Sequence, residues 1–243
     1  MTTTAILSAL AEEQQGLLEL LQYPHKTSHA GRDFWEGRLH GRSVVLALSR
    51  IGKVSAATTS AALIERFNAS RVVFTGVAGG LGEGVCVGDV VVAEGFLQHD
   101  LDVSPLFPRY EVPLYGRARF TCDKVLTALL MRAAQTGLDS LSLPAKTLLH
   151  HGLIASGDRF VSGAAEAHAL RSALQLGSHE ALAVEMEGAA VAQVCFDYGV
   201  PFAAVRTISD RADDTAHVDF PVFVREVASL YAQAIIRKLL ELL

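Results

Sequence analysis

Two alternating patterns of apolar positions run along this chain. Short runs of β-branched and aliphatic residues read as strands, and between them apolar residues recur three and four apart, as on one face of a helix. The clearest run, Arg71-Val72-Val73-Phe74-Thr75-Gly76, is apolar without alternation, as expected for a strand covered on both faces of a parallel sheet. The pattern predicts a strand over 4–10 and a helix over 12–21, with Leu17, Leu18 and Leu21 on one face. Strands over 34–39 and 44–49 flank His40-Gly41-Arg42 as a hairpin. An alanine-rich helix over 54–67 follows, then the strand 71–76, which runs into a glycine turn at Val77-Ala78-Gly79-Gly80. Another strand spans 89–97. Residues 99–116, rich in proline and aromatics without a period, read as a long ordered loop of the kind usually tied to function.

The second half alternates strictly. Helices are predicted over 122–136, 163–174 and 187–198, and strands over 147–155, 181–184 and 202–208. A final helix over 221–242 has Asp219 as a candidate cap and Phe223, Val227, Leu230, Ala234 and Leu239 as its apolar face. Such alternation predicts a three-layer α/β/α fold around a central mixed sheet, built as a single domain over 1–243, since no linker, repeat or charge block interrupts it.

Composition narrows the classes. Half of the 243 residues are apolar, which excludes a disordered chain, and a net charge of −5 argues against a nucleic-acid binder. Cys86, Cys122 and Cys195 are far apart and form no metal-ligand spacing, so they are expected as small buried side chains in a reducing compartment. Neither a basic, apolar leader nor a run of roughly 18 apolar residues is found, so a cytoplasmic protein without a membrane partner is expected. The nine histidines, His99 and His150-His151 among them, show no trusted ligand spacing either; no metal and no organic cofactor is expected.

In α/β sheets ligands bind beyond the carboxyl ends of strands. The polar residues just past the apolar runs are Glu12 and Glu13, the Gly76 to Gly80 turn, Glu185-Met186-Glu187, and Arg206 with Ser209-Asp210. Each has a plain structural alternative: Glu12 and Glu13 as helix-start charges, the 185–187 pair as partners in ion pairs, Ser209-Asp210 as a cap or turn. The glycine turn matches neither a dinucleotide fingerprint nor a P-loop. Only together do these carboxylates, the arginine and the turn suggest a polar site.

Seven runs carry a resemblance. They are Ile6-Leu7-Ser8-Ala9-Leu10-Ala11-Glu12-Glu13, Ile51-Gly52-Lys53-Val54, Thr75-Gly76-Val77-Ala78-Gly79-Gly80, Val87-Gly88-Asp89-Val90-Val91, Ser156-Gly157-Asp158-Arg159-Phe160-Val161, Ala183-Val184-Glu185-Met186-Glu187 and Val205-Arg206-Thr207-Ile208-Ser209-Asp210. In order and over nearly the whole chain, they resemble the 5'-methylthioadenosine/S-adenosylhomocysteine nucleosidases of the nucleoside phosphorylase superfamily. The resemblance implies a nucleoside phosphorylase-like fold and hydrolysis of the bond between adenine and a 5'-thio-substituted ribose. Asp210 would protonate the leaving adenine, at a strand end where burial favours the protonated acid. Glu13, rather than Glu12, would activate water, and Glu187, ionised at a helix start, would grip the ribose hydroxyls. Arg206 would orient the water or the 2'-hydroxyl.

Substrate contacts implied in the same way are Phe160 and Val161 for the purine, Met186 over the ribose, and Ile51 and Phe220 around the 5'-substituent. The Val77-Ala78-Gly79 backbone, Glu185 and Ser209 complete them. Val103 and Phe107, in the 99–116 loop, would be lent by the second subunit of a homodimer. Val77 stands where better-known members have serine, so a hydroxyl contact is lost. The resemblance leaves open which 5'-substituted adenosine is preferred: methylthioadenosine, adenosylhomocysteine, 5'-deoxyadenosine or aminodeoxyfutalosine. A phosphorolytic relative would need a cationic or amide-rich phosphate pocket, which an acidic Glu13 opposes. A non-catalytic nucleoside sensor would have no need of acid, base and ribose carboxylate together. A nicotinamide dehydrogenase would need the missing dinucleotide fingerprint.

Overall fold

A computed structural model describes residues 2–141, 147–211 and 223–243. The first half contains β1 (Thr3–Ser8), α1 (Ala11–Glu19), β2 (Gln22–His29), β3 (Arg32–Leu39), β4 (Arg42–Leu48), α2 (Lys53–Glu65), β5 (Ala69–Gly80) and β6 (Val90–Gln98). Then come β7 (Arg119–Thr121), α3 (Lys124–Asp139), β8 (Leu149–Ser156), α4 (Ala164–Leu176), β9 (Ala181–Glu185), α5 (Gly188–Tyr198) and β10 (Phe202–Asp210). A π-helical turn, Val224–Ala228, leads into α6 (Ser229–Leu242). Among the described residues no helix is long and apolar enough to cross a membrane.

The ten strands among the described residues belong to one mixed sheet. β5 is its axis: it pairs in parallel with β1 and β10, while Gly79 and Gly80 at its end pair antiparallel with Val184 and Ala183 of β9. β10 also pairs with β6, and β6, β8 and β9 are parallel to one another, so this half of the sheet curls back on itself. The consequence is local and functional. The carboxyl ends of β1, β5, β8, β9 and β10 converge on one place.

Alternate residues of the strands face opposite layers, as a period of two requires. Ala5, Leu7, Phe74 and Ala204 pack with α2 and α5, where Ala56, Ala189 and Ala192 let helices approach closely. Ile6, Val73 and Val205 face α1, α3 and α6, against Leu17, Leu130 and Ile235. α3 starts at a conventional cap, with Asp123 accepting from the Leu126 N–H at 2.8 Å.

Several sequence expectations are corrected. The glycine segment 77–80 is no turn: β5 continues through it, and the absence of a side chain at Gly80 lets β10 lie close, where a Cβ would sit 3.2 Å from Ile208. β2 and β7 were not foreseen. Leu230 is 52% exposed rather than on the apolar face of the last helix, because the π turn before it shifts the helical phase. Tyr231, Ile235, Ile236 and Leu240 are buried instead. Cys86 is exposed, while Cys122 and Cys195 are buried as expected, and all three are free thiols. Asp219, the candidate cap, and Phe220 lie outside the described residues.

Candidate active site

The converging strand ends enclose a cavity of about 370 Å³, of a size suited to a small ligand. Glu13, Glu187 and Asp210 all line it. So do Ile51, Val77, Ala78, Gly79, Phe160, Val161, Glu185, Met186 and Ser209. Ala9, Leu10, Arg159 and Val184, not singled out from the sequence, complete the wall.

Glu13 reaches the cavity from the first turn of α1, whereas Glu12 beside it is exposed. Three backbone amides hold its carboxylate: Ala9 and Leu10 N–H donate to Oε2 at 2.8 and 2.9 Å, and Val77 N–H donates to Oε1 at 3.0 Å. The contact at position 77 is thus made by the backbone, which any residue supplies. Burial raises the Glu13 pKa, while Arg206 and these amides pull the other way. A Cβ on Gly76 would lie only 2.7 Å from Glu13 Oε1, so glycine there is what lets the carboxylate sit against the strand.

Glu187 is the N-cap of α5, yet its side chain makes no cap bond. Instead Gly52 N–H donates to Oε1 at 2.8 Å, tying the start of α2 to the cavity. Burial, and then the neighbouring Glu185 carboxylate, push its pKa up to about 8, opposite in direction to the helix-start effect. One turn of helix dipole does not offset the loss of water and a second carboxylate nearby.

Asp210 ends β10 and is buried; Ser209 Oγ donates to its Oδ2 at 2.7 Å. Arg206, four residues earlier in β10, does not line the cavity. It lies beneath, 1% exposed, its Nη2 donating to Glu185 Oε2 at 2.7 Å and its guanidinium 3.7 Å over the Phe74 ring. Its Nε and Nη1 find no hydrogen-bond partner among the described residues. Ser156, missed from the sequence, donates to Glu185 Oε1 and accepts from Ala189 N–H.

Phe160, 45% exposed, and Val161 form one flank of the cavity. Their loop is anchored through Asp158, which accepts from Lys53 N–H at 2.8 Å and whose own N–H donates to Asp100 at 2.9 Å. Val103 and Phe107 do not line this chain's own cavity.

Comparison with known proteins shows the family. A profile of the phosphorylase superfamily matches residues 3–241. The 5'-methylthioadenosine/S-adenosylhomocysteine nucleosidase of Bacillus thuringiensis (strain Al Hakam) is 36% identical over 238 residues, 98% of this chain and 97% of the relative. Among solved structures, a nucleosidase of the same name from Neisseria meningitidis, in complex with methylthio-immucillin-A, superposes with a TM-score of 0.90 at 36% identity, over the full length of both chains. The futalosine hydrolase of Helicobacter pylori strain 26695 superposes with a TM-score of 0.88 at 33% identity, covering 100% of this chain and 98% of that one.

Proposed function

Because this chain belongs to the phosphorylase superfamily, and within it to the 5'-methylthioadenosine/S-adenosylhomocysteine nucleosidases, we propose that Asp210, Glu13 and Glu187 divide the work of hydrolysing a 5'-thio-substituted adenosine. The enzyme is an N-glycosyl hydrolase that releases adenine and a 5-thioribose. The observation that carries the assignment of roles is the placement of all three carboxyl groups on one cavity.

Adenine is a poor leaving group and needs a proton as the bond to C1' breaks. Asp210 supplies it to N7, its Oδ2 held by the Ser209 hydroxyl. Glu13, whose carboxyl group accepts from three amides and is made more basic by burial, takes a proton from the attacking water. Acid and base on opposite sides of the sugar repeat the logic of inverting glycoside hydrolysis.

Glu187 is set for the charge that appears between them. A carboxyl balanced near neutrality shares its proton with the ribose hydroxyls, and growing positive charge on the ring favours its anion. Its stabilisation therefore increases toward the transition state, which is the only kind that accelerates the reaction. The Phe160 ring stacks on the purine while backbone groups at Phe160 and Val161 read the adenine edge, Met186 covers the ribose, and Ile51 borders the 5'-substituent.

We further read the protein as a cytoplasmic homodimer. Three free thiols suit a reducing compartment. Ile51 and Val54, at 56% and 79% exposure, form an apolar rim beside the cavity that a second subunit would cover, bringing Val103 and Phe107 of its loop. Adenine release from methylthioadenosine in phosphate-free buffer tests the function. Full turnover is expected, and a strict phosphate requirement would make the protein a phosphorylase.

A further inference from the structure

Next to the nucleoside cavity, and sharing Ala9 in its wall, lies a second hollow of about 310 Å³ between α1, the start of β3 and the end of β4. Two guanidiniums border it, those of Arg32 and Arg50. Neither pairs with a carboxylate among the described residues. Arg32 donates through Nη1 to Ala30 O at 2.9 Å and through Nη2 to Ser55 O at 3.4 Å, while its buried Nε finds no partner among them. Arg50 donates through Nη2 to Gly31 O. The carboxylate on this wall, Asp33, bonds Lys26 at 2.7 Å and Ser28 at 2.6 Å, and it feels the Arg50 charge without forming an ion pair with it. Burial and the Arg50 charge both disfavour the proton on Arg32, as expected of two like charges facing one space.

Arg50 also carries a backbone cost. Its φ is +65°, in the left-handed region that residues with a Cβ enter at a penalty, and such strain clusters at functional positions. It directly precedes Ile51, a wall of the nucleoside cavity. Trp35, Leu18 and Leu48 give the hollow an apolar side, so its chemistry is that of an apolar stem ending in an anion.

We propose that this hollow is a subsite for a carboxylate at the end of the C5' substituent. This rests on the nucleosidase reading and deepens it: adenosines with carboxylate-terminated tails, adenosylhomocysteine among them, are selected over the same tails without the carboxylate. Planar guanidiniums suit that group through paired charge-assisted hydrogen bonds.

The test compares kcat/KM for adenosylhomocysteine, its decarboxylated analogue and methylthioadenosine, in the parent and in Arg32→Met and Arg50→Gly. The parent is expected to favour adenosylhomocysteine over the decarboxylated analogue by about ten-fold or more, the scale of one charge-assisted hydrogen bond. Both substitutions should bring that ratio toward one by raising KM for adenosylhomocysteine. Arg50→Gly should keep the parent's Tm, because glycine relieves the left-handed backbone. A parent that does not distinguish the two tails overturns the proposal. So does an unchanged ratio in Arg50→Gly accompanied by a lower Tm, which would make Arg50 only an anchor for the Gly31 turn. No adenine release from methylthioadenosine by the parent would instead sink the nucleosidase reading, and the subsite with it.

Discussion

Arg206 and Glu185 form a buried ion pair directly under the cavity, Nη2 to Oε2 at 2.7 Å, with both side chains almost inaccessible. Glu185 is further satisfied by the Ser156 hydroxyl and by the N–H groups of Glu187 and Gly188. Removing one member of such a pair strands the other charge in the interior at a cost of about 3–5 kcal/mol. Arg206→Met should therefore lower the urea midpoint strongly and depress turnover, because an uncompensated Glu185 would sit beside Glu187. Arg206→Lys should restore little of either, since an ammonium cannot lie flat over Phe74 while bonding Glu185.

Asp210→Asn keeps the size of the side chain and removes the transferable proton. Its kcat/KM for methylthioadenosine should fall by about 10²- to 10⁴-fold, the usual contribution of a placed acid. Initial rates of adenine release give the comparison, and a Tm close to the parent's would show that the fold is intact.

The raised pKa of Glu187 makes a prediction about stability. Unfolded, the group ionises near its ordinary value of 4.5; folded, it holds its proton to about 8. Between those values the folded state binds more protons than the unfolded one, so stability falls as pH rises through this window. Glu187→Gln should remove that part of the decline. Thermal unfolding of both proteins from pH 5 to 8 is expected to show the variant gaining on the parent as pH increases.

Gly76→Ala tests the seat of the base. The new methyl would lie 2.7 Å from Glu13 Oε1, on a residue paired with Arg206 of β10, so the carboxylate is pushed from its seat. A shift of the base by an ångström should reduce kcat by about ten-fold or more. Burst-free steady-state kinetics measure it, and a change confined to KM would argue against Glu13 as the base.

What could be read along the chain follows from what each element shows locally. β5 and β10 are continuous apolar runs and announce themselves. β2 does not: Gln22–His29 is an almost wholly exposed edge strand with Pro24 inside it, held only by pairing with β3. Leu230 illustrates a phase error, where spacing was read correctly but a π turn rotated the face. The cavity residues were legible because they cluster just past strand ends. The position of Arg206 below the cavity, and the support Ser156 gives Glu185 from 29 residues away, depend on strand pairing that local spacing does not encode.

The central claim is that water, activated at Glu13, attacks the sugar as Asp210 releases the base. Hydrolysis of methylthioadenosine in phosphate-free water enriched in ¹⁸O, followed by mass spectrometry of the sugar, addresses it directly. One heavy oxygen at C1 of the 5-methylthioribose is expected, lost together with adenine release in Glu13→Gln. Undiminished labelling and release in that variant would contradict the account.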